Sequence, residues 1–333
     1  MIAVLGASGA VGRGVLAALR SRGIPVRGGS RSSGVDLFDD HSLATFVDGA
    51  RLVVNCAGPS HGVARRVALA AMRAGADHVD AGGDGVRVTP APGRAAVFAA
   101  GAAPGLSGVL PRALARRFDE VRSLVSYSGV RDRFTTAGAE DFLHGGSEAG
   151  AGWRRGQRVS SAVSRVDDLT LPRLPLPVVA LPFFDEESAS VARALSLVDA
   201  TRYAFFEDGR LLAALGRVRG QRVDDAVRSL REAAALDTAG RATHATLLVQ
   251  LDGTSDGAVV TRTAIARAGS TAVMTAAVTV ATALAVLAGE VAEGTYQAAE
   301  VLDPASASEL DGVEIVVEDR PIADLALAEE GTL

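Results

Sequence analysis

Three glycines spaced three apart, Gly6, Gly9 and Gly12 in GASGAVG, follow the apolar run Ile2-Ala3-Val4-Leu5. An apolar strand, a glycine turn and then a helix make the arrangement that binds a pyrophosphate. Gly6 permits the sharp turn out of the strand, Gly9 lets backbone approach a phosphate, and Gly12 lets the helix pack closely on the sheet. The main-chain N–H groups where the helix opens, at Ala10 and Val11, present partial positive charge to an anion, and Ser8 adds a hydroxyl donor. The plainer alternative is a tight strand-to-helix corner with no ligand. The next strand ends in Gly28-Gly29-Ser30-Arg31. An acid there accepts from a ribose 2′-hydroxyl in NAD sites. Ser30 and Arg31 suit a 2′-phosphate instead, through charge-assisted hydrogen bonds. The residues therefore favour NADPH over NADH. Asp36 is either an acceptor for the adenine amino group or a turn residue.

The elements that must hold this turn are legible as alternating strands and helices. Residues 2–5, 24–28, 52–56 and 78–80 read as strands. Helices are expected over 10–22, 41–48 (capped by Asp39 or Asp40), 63–74 and 109–118, with a further βα unit starting at 94–98. Such alternation implies a doubly wound, Rossmann-type parallel sheet of the α/β class. The texture changes near residue 120. Wider-spaced strands at 124–130, 202–206, 246–251 and 259–265, with helices at 139–143, 186–197 and 224–236, predict a second, α+β substrate domain. The Pro-rich stretch 171–184 reads as a rigid extended segment. The boundaries expected are 1–120 for the nucleotide-binding domain, 121–270 for the substrate and dimerisation domain, and 271–333 for a helix and tail returning to the first domain.

Composition excludes several classes. The chain has 333 residues, of which 48% are hydrophobic, and a net charge of -5. An acidic chain argues against a nucleic-acid partner. All 34 Lys-plus-Arg positions are Arg. Without Lys there is no Schiff base, no Walker-type phosphate loop and no Tyr-x-x-x-Lys carbonyl-reductase pair. The single cysteine, Cys56, forms no internal disulfide and fits a reducing cytoplasm. The five His lack ligand spacing such as H-x-x-x-H, so no metal is expected. Residues 270–289 are uncharged and long enough to span a bilayer. Their Ala and Thr content, and the lack of flanking basic or aromatic anchors, favour a helix buried between protein layers and no membrane partner.

Further motifs follow in order: Asn55-Cys-Ala-Gly-Pro59, Gly75-Ala-Asp-His-Val-Asp-Ala-Gly82 and Pro104-Gly-Leu-Ser-Gly108. Late in the chain come Leu287-Ala-Gly-Glu-Val-Ala-Glu-Gly294 and Ala299-Glu-Val-Leu-Asp-Pro304. With the first glycine turn, this ordered set resembles the saccharopine dehydrogenase-like NAD(P)-binding oxidoreductase family. The resemblance covers the first third of the chain and returns over 285–304. It implies that Cys56, Ala57, Gly58 and Pro59 end a strand beside the pyrophosphate and nicotinamide ribose, with Cys56 a buried filler. It implies that Asp80 faces the crevice, and that Pro104 and Gly105 lie near the nicotinamide with Ser107 opening a helix. It also implies chemistry at carbon–nitrogen bonds.

Hydride transfer to such a bond needs a proton donor. Tyr127, His144 and Asp80 are the candidates, and Arg131 and Arg133 are candidate clamps for a substrate carboxylate. Tyr127 also reads as a half-buried strand residue, and His144 as a loop or cap residue. The expectation is a cytoplasmic, homodimeric NADPH-dependent imine reductase acting on a small molecule, cyclic, carboxylate-bearing or carrier-bound, in specialised metabolism. The alternatives are an opine- or saccharopine-type amino-acid dehydrogenase, a carbonyl or enoyl reductase, and a non-catalytic NADPH-binding regulator.

Overall fold

The computed structural model describes residues 1–145, 150–207 and 209–330. It divides into two compact units. The first comprises Met1–Val109, Glu140–His144 and Thr271–Gly312, and the second holds the remainder.

The first unit is built on strands β1 (Ile2–Leu5), β2 (Val26–Gly29), β3 (Leu52–Asn55), β4 (Asp77–Asp80) and β5 (Ala95–Phe98), joined by the late strand Gly294–Gln297. All pair in parallel, in the order Gly294–Gln297, β5, β4, β3, β1, β2. From β1 the chain steps outward to β2 and then crosses back to β3. The winding thus reverses between β1 and β3, and ligands of doubly wound sheets sit in the crevice beyond the carboxyl ends at such a point.

Every residue of β1, β3 and β5 is buried, as a sheet covered on both faces requires. Ile2, Val4, Leu52 and Val54 face one layer, with Val15, Leu16 and Leu19 of helix α1 (Ala10–Ser21) and Ala276, Val280 and Ala283 of the helix Thr271–Ala288. Ala3, Leu5 and Val53 face the other, with Leu43 and Val47 of α2 (Asp40–Val47) and Val67, Ala68 and Ala71 of α3 (Ser60–Arg73). Each fully buried Val or Leu contributes about 1.5–3 kcal/mol relative to exposure. Asp39 caps α2 as its sequence predicts, accepting from the His41 and Ser42 N–H groups.

Helix Thr271–Ala288 is long and apolar enough to cross a membrane by length and composition. Here its small residues serve close packing. A Cβ at Gly14 of α1 would stand 2.9 Å from the Ala276 Cβ, and Thr279 donates to the Ala100 carbonyl at 2.7 Å. The helix therefore returns to the first sheet, as expected.

Helix α4 (Leu106–Ala115) leads into the second unit. There β6 (Glu120–Arg131) lies between the parallel strand Asp199–Phe206 and the antiparallel strand His244–Ser255. The sheet continues through Ala258–Ala268 to Val313–Glu318 on one side, and through Val178–Pro182 to Val166–Leu169 on the other. Helix α5 (Thr136–His144) follows β6, and its last five residues belong to the first unit.

Two expectations shift. The tail from Val313 does not rejoin the first unit, because Val313–Glu318 pairs with Ala258–Ala268 at the edge of the second sheet. The Pro-rich stretch contains a strand, Val178–Pro182, hydrogen-bonded on both sides. Trp153 is packed within the hairpin of Gly152–Arg154 and Gln157–Val159, its indole N–H donating to the Leu197 carbonyl at 2.9 Å.

Candidate nucleotide-binding site

The glycine turn lies where the sheet order reverses. Gly6 has φ of +73°, and a Cβ there would stand 2.6 Å from the backbone of Cys56 and Ala57, beyond β3. The two strand ends thus approach with no room for a side chain. A Cβ on Gly12 would sit 2.2 Å from the Gly6 carbonyl oxygen, so the first turn of α1 lies directly on the loop. The Gly9 N–H donates to the Gly6 carbonyl at 2.9 Å, and the Arg13 guanidinium donates to the Ser8 carbonyl. Ser8, Gly9 and Ala10 are exposed, and Val11 is partly so. Helix α1 has no side-chain cap and no acid in its first turn, so its own residues do not compensate its positive end.

At the end of β2, Ser30 opens a short 3-10 turn and is held by a reciprocal box with Ser33. Arg31 is exposed, and among the described residues no acid or carbonyl engages its guanidinium. The Asp36 Oδ1 accepts from the Phe38 N–H at 2.8 Å, which gives it the turn role, while its carboxylate remains exposed.

The strand ends on the other side of the switch are fixed by buried polar contacts. Asn55, fully buried, donates to the Asp80 carboxylate at 2.8 Å and accepts from the Ala57 N–H at 3.1 Å. The Gly82 N–H donates to the other Asp80 oxygen at 2.9 Å. Asp80 is 1% exposed. The expectation that it faces the crevice is therefore corrected: its carboxylate ties β3 to β4 and closes the turn after β4. Burial first, and then the Asp80 charge, push the Cys56 thiol well above its ordinary value, so it stays a protonated filler. Gly58 is exposed and Pro59 half-buried, where α3 begins.

Pro104 and Gly105 precede α4. Gly105 has φ of +125°, and a Cβ on it would meet the Gly101 carbonyl at 2.2 Å. The Leu106 and Ser107 N–H groups bond back to the Gly101 and Ala102 carbonyls. This starts α4 at Leu106, three residues before the expected start, and puts Ser107 inside the first turn.

The remaining candidates sit as follows. Tyr127 is half-buried on β6 with its ring stacked on Tyr203, centroids 5.2 Å apart. Burial first, and then Tyr203, push its phenol up to about 12. Arg131 is not a free clamp: it pairs with Glu207, which also accepts from His244 at 2.5 Å. Arg133 is exposed.

His144 is neither a loop residue nor a cap. It ends α5, exposed, with Nδ1 2.9 Å from the Glu140 carbonyl oxygen. A carbonyl oxygen only accepts, so Nδ1 carries a proton and Nε2 is left for other partners. The His144 ring stacks on that of His61 in α3, centroids 3.9 Å apart. The Glu140 carboxylate is 3.5 Å from His61 Nε2, and the Asp141 carboxylate is 3.8 Å from His61 Nδ1. Asp141 also accepts from the Ser60 N–H at 2.7 Å and the Ser60 hydroxyl at 2.9 Å. Sequence reasoning misses this group, because His61 and His144 come from separate segments. Chain spacing of the His therefore excludes no metal here: ligand atoms of His61, Glu140 and His144 lie within 4.8 Å of one another.

No protein-family model matches the chain, and no curated protein matches it. Among solved structures, a short-chain dehydrogenase/reductase superfamily protein from Agrobacterium tumefaciens with bound NAD is 32% identical over 24% of this chain and 31% of that one, with a TM-score of 0.21. The chain thus spans under a third of that protein's length. DAP dehydrogenase of C. glutamicum in complex with DAP is 16% identical over 90% and 93% of the two chains, with a TM-score of 0.47. An engineered D-amino acid dehydrogenase bound to NADP+ is 15% identical over 90% and 93%, with a TM-score of 0.48.

Proposed function

We propose that this protein is a nicotinamide-dependent oxidoreductase that uses NADPH to reduce a carbon–nitrogen double bond in a small molecule. One observation carries the reading: an uncapped helix N-terminus behind Gly6 and Gly12 lies at the sheet's switch point, with the unengaged Arg31 guanidinium at the end of β2. The fit is steric as well as electrostatic. The turn is cleared of Cβ atoms where backbone must approach a phosphate, and the first turn of α1 carries no acid and no side-chain cap of its own.

When bound, the reduced nicotinamide supplies a hydride. The chain supplies the rest. The N–H groups opening α1 hold the pyrophosphate, and Arg31 with Ser30 selects the 2′-phosphate. The small residues Cys56 to Pro59 and Pro104-Gly105 keep bulk away from the cofactor. Of the three candidate donors, the Asp80 carboxylate is spent on Asn55 and Gly82, and the Tyr127 phenol holds its proton to about 12. His144 keeps an exposed ring nitrogen, and we assign its doubly protonated ring as the donor to the nascent amine: Nε2 gives up its proton while Nδ1 keeps the one it shares with the Glu140 carbonyl. The preference for a C=N acceptor rests on the saccharopine dehydrogenase-like motifs and on the Lys-free composition.

The test is a single-turnover assay of the full chain with NADPH against a panel of cyclic and acyclic imines and the matching carbonyls. Oxidation of NADPH by imines is the expected result. Turnover of carbonyls alone overturns the acceptor assignment. Tight NADPH binding with no turnover of any acceptor overturns the enzyme reading in favour of a nucleotide-binding regulator.

A further inference from the structure

We propose that His61, Glu140 and His144 form a binding site for a divalent transition metal of the zinc class. Glu140 and His144 stand one helical turn apart on α5, and His61 lies in the first turn of α3. Their ligand atoms all fall within 4.8 Å of one another. Four-coordinate zinc with bonds of about 2.1 Å wants its donors roughly 3.4 Å apart. The separation of Glu140 from His61 Nε2, 3.5 Å, already has that value. Two imidazoles and one carboxylate favour zinc, cobalt or nickel over calcium and magnesium, which prefer all-oxygen shells. Three protein donors leave a fourth tetrahedral position for water.

The surroundings add a second observation: the other nitrogen of His144 is hydrogen-bonded, and that of His61 lies at ion-pair distance from a carboxylate. His144 Nδ1 donates to the Glu140 carbonyl, so a neutral ring turns its lone pair outward at Nε2. His61 Nδ1 faces Asp141, itself fixed by the Ser60 N–H and hydroxyl. Such outer partners orient metal-bound histidines and raise their basicity. The two rings are nearly parallel, at 17°. Parallel rings cannot aim in-plane lone pairs at one ion, so capture requires one ring to turn about its Cβ–Cγ bond. Both histidines are exposed, which leaves room for that rotation and a path for the ion. Metal and proton compete for His144 Nε2, so a loaded site excludes its donor role. Binding itself does not depend on the reductase reading.

The experiment uses the full chain, stripped with a chelator and free of nucleotide. Zinc is titrated by calorimetry, and cobalt by its visible absorption. The expected result is one ion per chain, with a cobalt spectrum of tetrahedral intensity. H61A and H144A should each weaken zinc binding at least ~100-fold, and D141N about 10- to 100-fold as an outer partner. H41A, at an exposed His on α2, should bind as the wild type does. Circular dichroism confirms that the variants fold. Wild-type affinity in both H61A and H144A overturns the proposal, as does an equal loss in H41A or the lack of one-per-chain binding by the wild type. Because no nucleotide or substrate is present, a missing reductase activity leaves these readings intact.

Discussion

Substituting Gly12 by Ala tests whether the glycine turn binds phosphate or only turns the chain. The new methyl would stand 2.2 Å from the Gly6 carbonyl oxygen, 2.8 Å from the Gly6 carbonyl carbon and 3.0 Å from the Ala7 Cα. All three are backbone atoms, so no side chain can rotate away. Relief requires α1 to lift off the loop by about 1 Å, and overpacking of this kind costs about 1–3 kcal/mol. For a chain this long the melting temperature should fall by roughly 2–10 °C. The same displacement moves the N–H groups that would hold the pyrophosphate. Losing one charge-assisted hydrogen bond costs about 1.5–3 kcal/mol, or about a 10- to 150-fold weaker NADPH complex. Gly14→Ala is the control. Its methyl would meet the Ala276 Cβ at 2.9 Å, which strains the packing of α1 on Thr271–Ala288 but not the turn. G14A should lose stability and keep nucleotide affinity, whereas G12A should lose both. Melting curves and NADPH fluorescence titration read the two quantities separately. If G12A melts early yet binds NADPH like the wild type, the turn is only a corner and the proposed cofactor site is wrong.

Four further outcomes are expected. Arg31→Ala should weaken NADPH about 10- to 150-fold by fluorescence titration, from the loss of one charge-assisted contact, and leave NADH unchanged; equal effects would remove the 2′-phosphate assignment. Glu207→Gln should destabilise the chain by about 3–5 kcal/mol in denaturant titration, because it strips the counter-charge from Arg131 within a buried pair. Burial alone would raise the Glu207 pKa, but hydrogen bonds from His244 and Arg131 overcome it and hold it below the ordinary value. Its contribution is therefore complete above about pH 4.3, the ordinary Glu value, and lost as pH falls through the lower folded value, so the gap to E207Q should close only in acid. Gly216→Ala, exposed in the helix Gly209–Arg217 with no atom near its would-be methyl, should gain up to about 1 kcal/mol in the same assay. Cys56 in the native chain should react with a thiol reagent at neutral pH far more slowly than in the denatured chain; comparable rates would contradict its raised thiol pKa.

Much of the first sheet was readable because its signals are local. Strands buried on both faces are continuous apolar runs, as Ile2–Leu5 and Leu52–Val54 are. Asp39 marks the start of α2 with its own side chain. Sequence patterns place helix starts too late where the first-turn N–H groups find partners outside the helix. Helix α3 opens at Ser60, before the expected Val63, and its Ser60 N–H is satisfied by Asp141. Helix α4 opens at Leu106 because carbonyls of the preceding turn accept its first N–H groups. The edge strand Val313–Glu318 has no local signal because it depends on pairing with a strand some fifty residues earlier, and six residues of mixed burial leave little pattern.

The candidate site divides along the same line. The glycine turn, Arg31 and the Cys-Ala-Gly-Pro strand end are contiguous segments, so the roles proposed for them can be named from sequence or from the motifs it shares with a family. Asp80 shows the limit of that reasoning. An acid at the carboxyl end of a parallel strand is either presented to the crevice or spent on its neighbours, and only its partners decide. The buried Asn55 amide faces it at 2.8 Å, and an amide with no acceptor in that interior would be costly. Asp80 therefore has a structural use that competes with chemistry. The His61–His144 stack shows the converse. Neither residue carries a motif, and nothing in their chain spacing brings them together. They meet because Asp141, one turn before the end of α5, accepts the first N–H of α3 and draws the two helix ends together. A single carboxylate at a helix start thus assembles two imidazoles and a second carboxylate, from which both the proton donor and the metal ligands proposed for this protein are drawn.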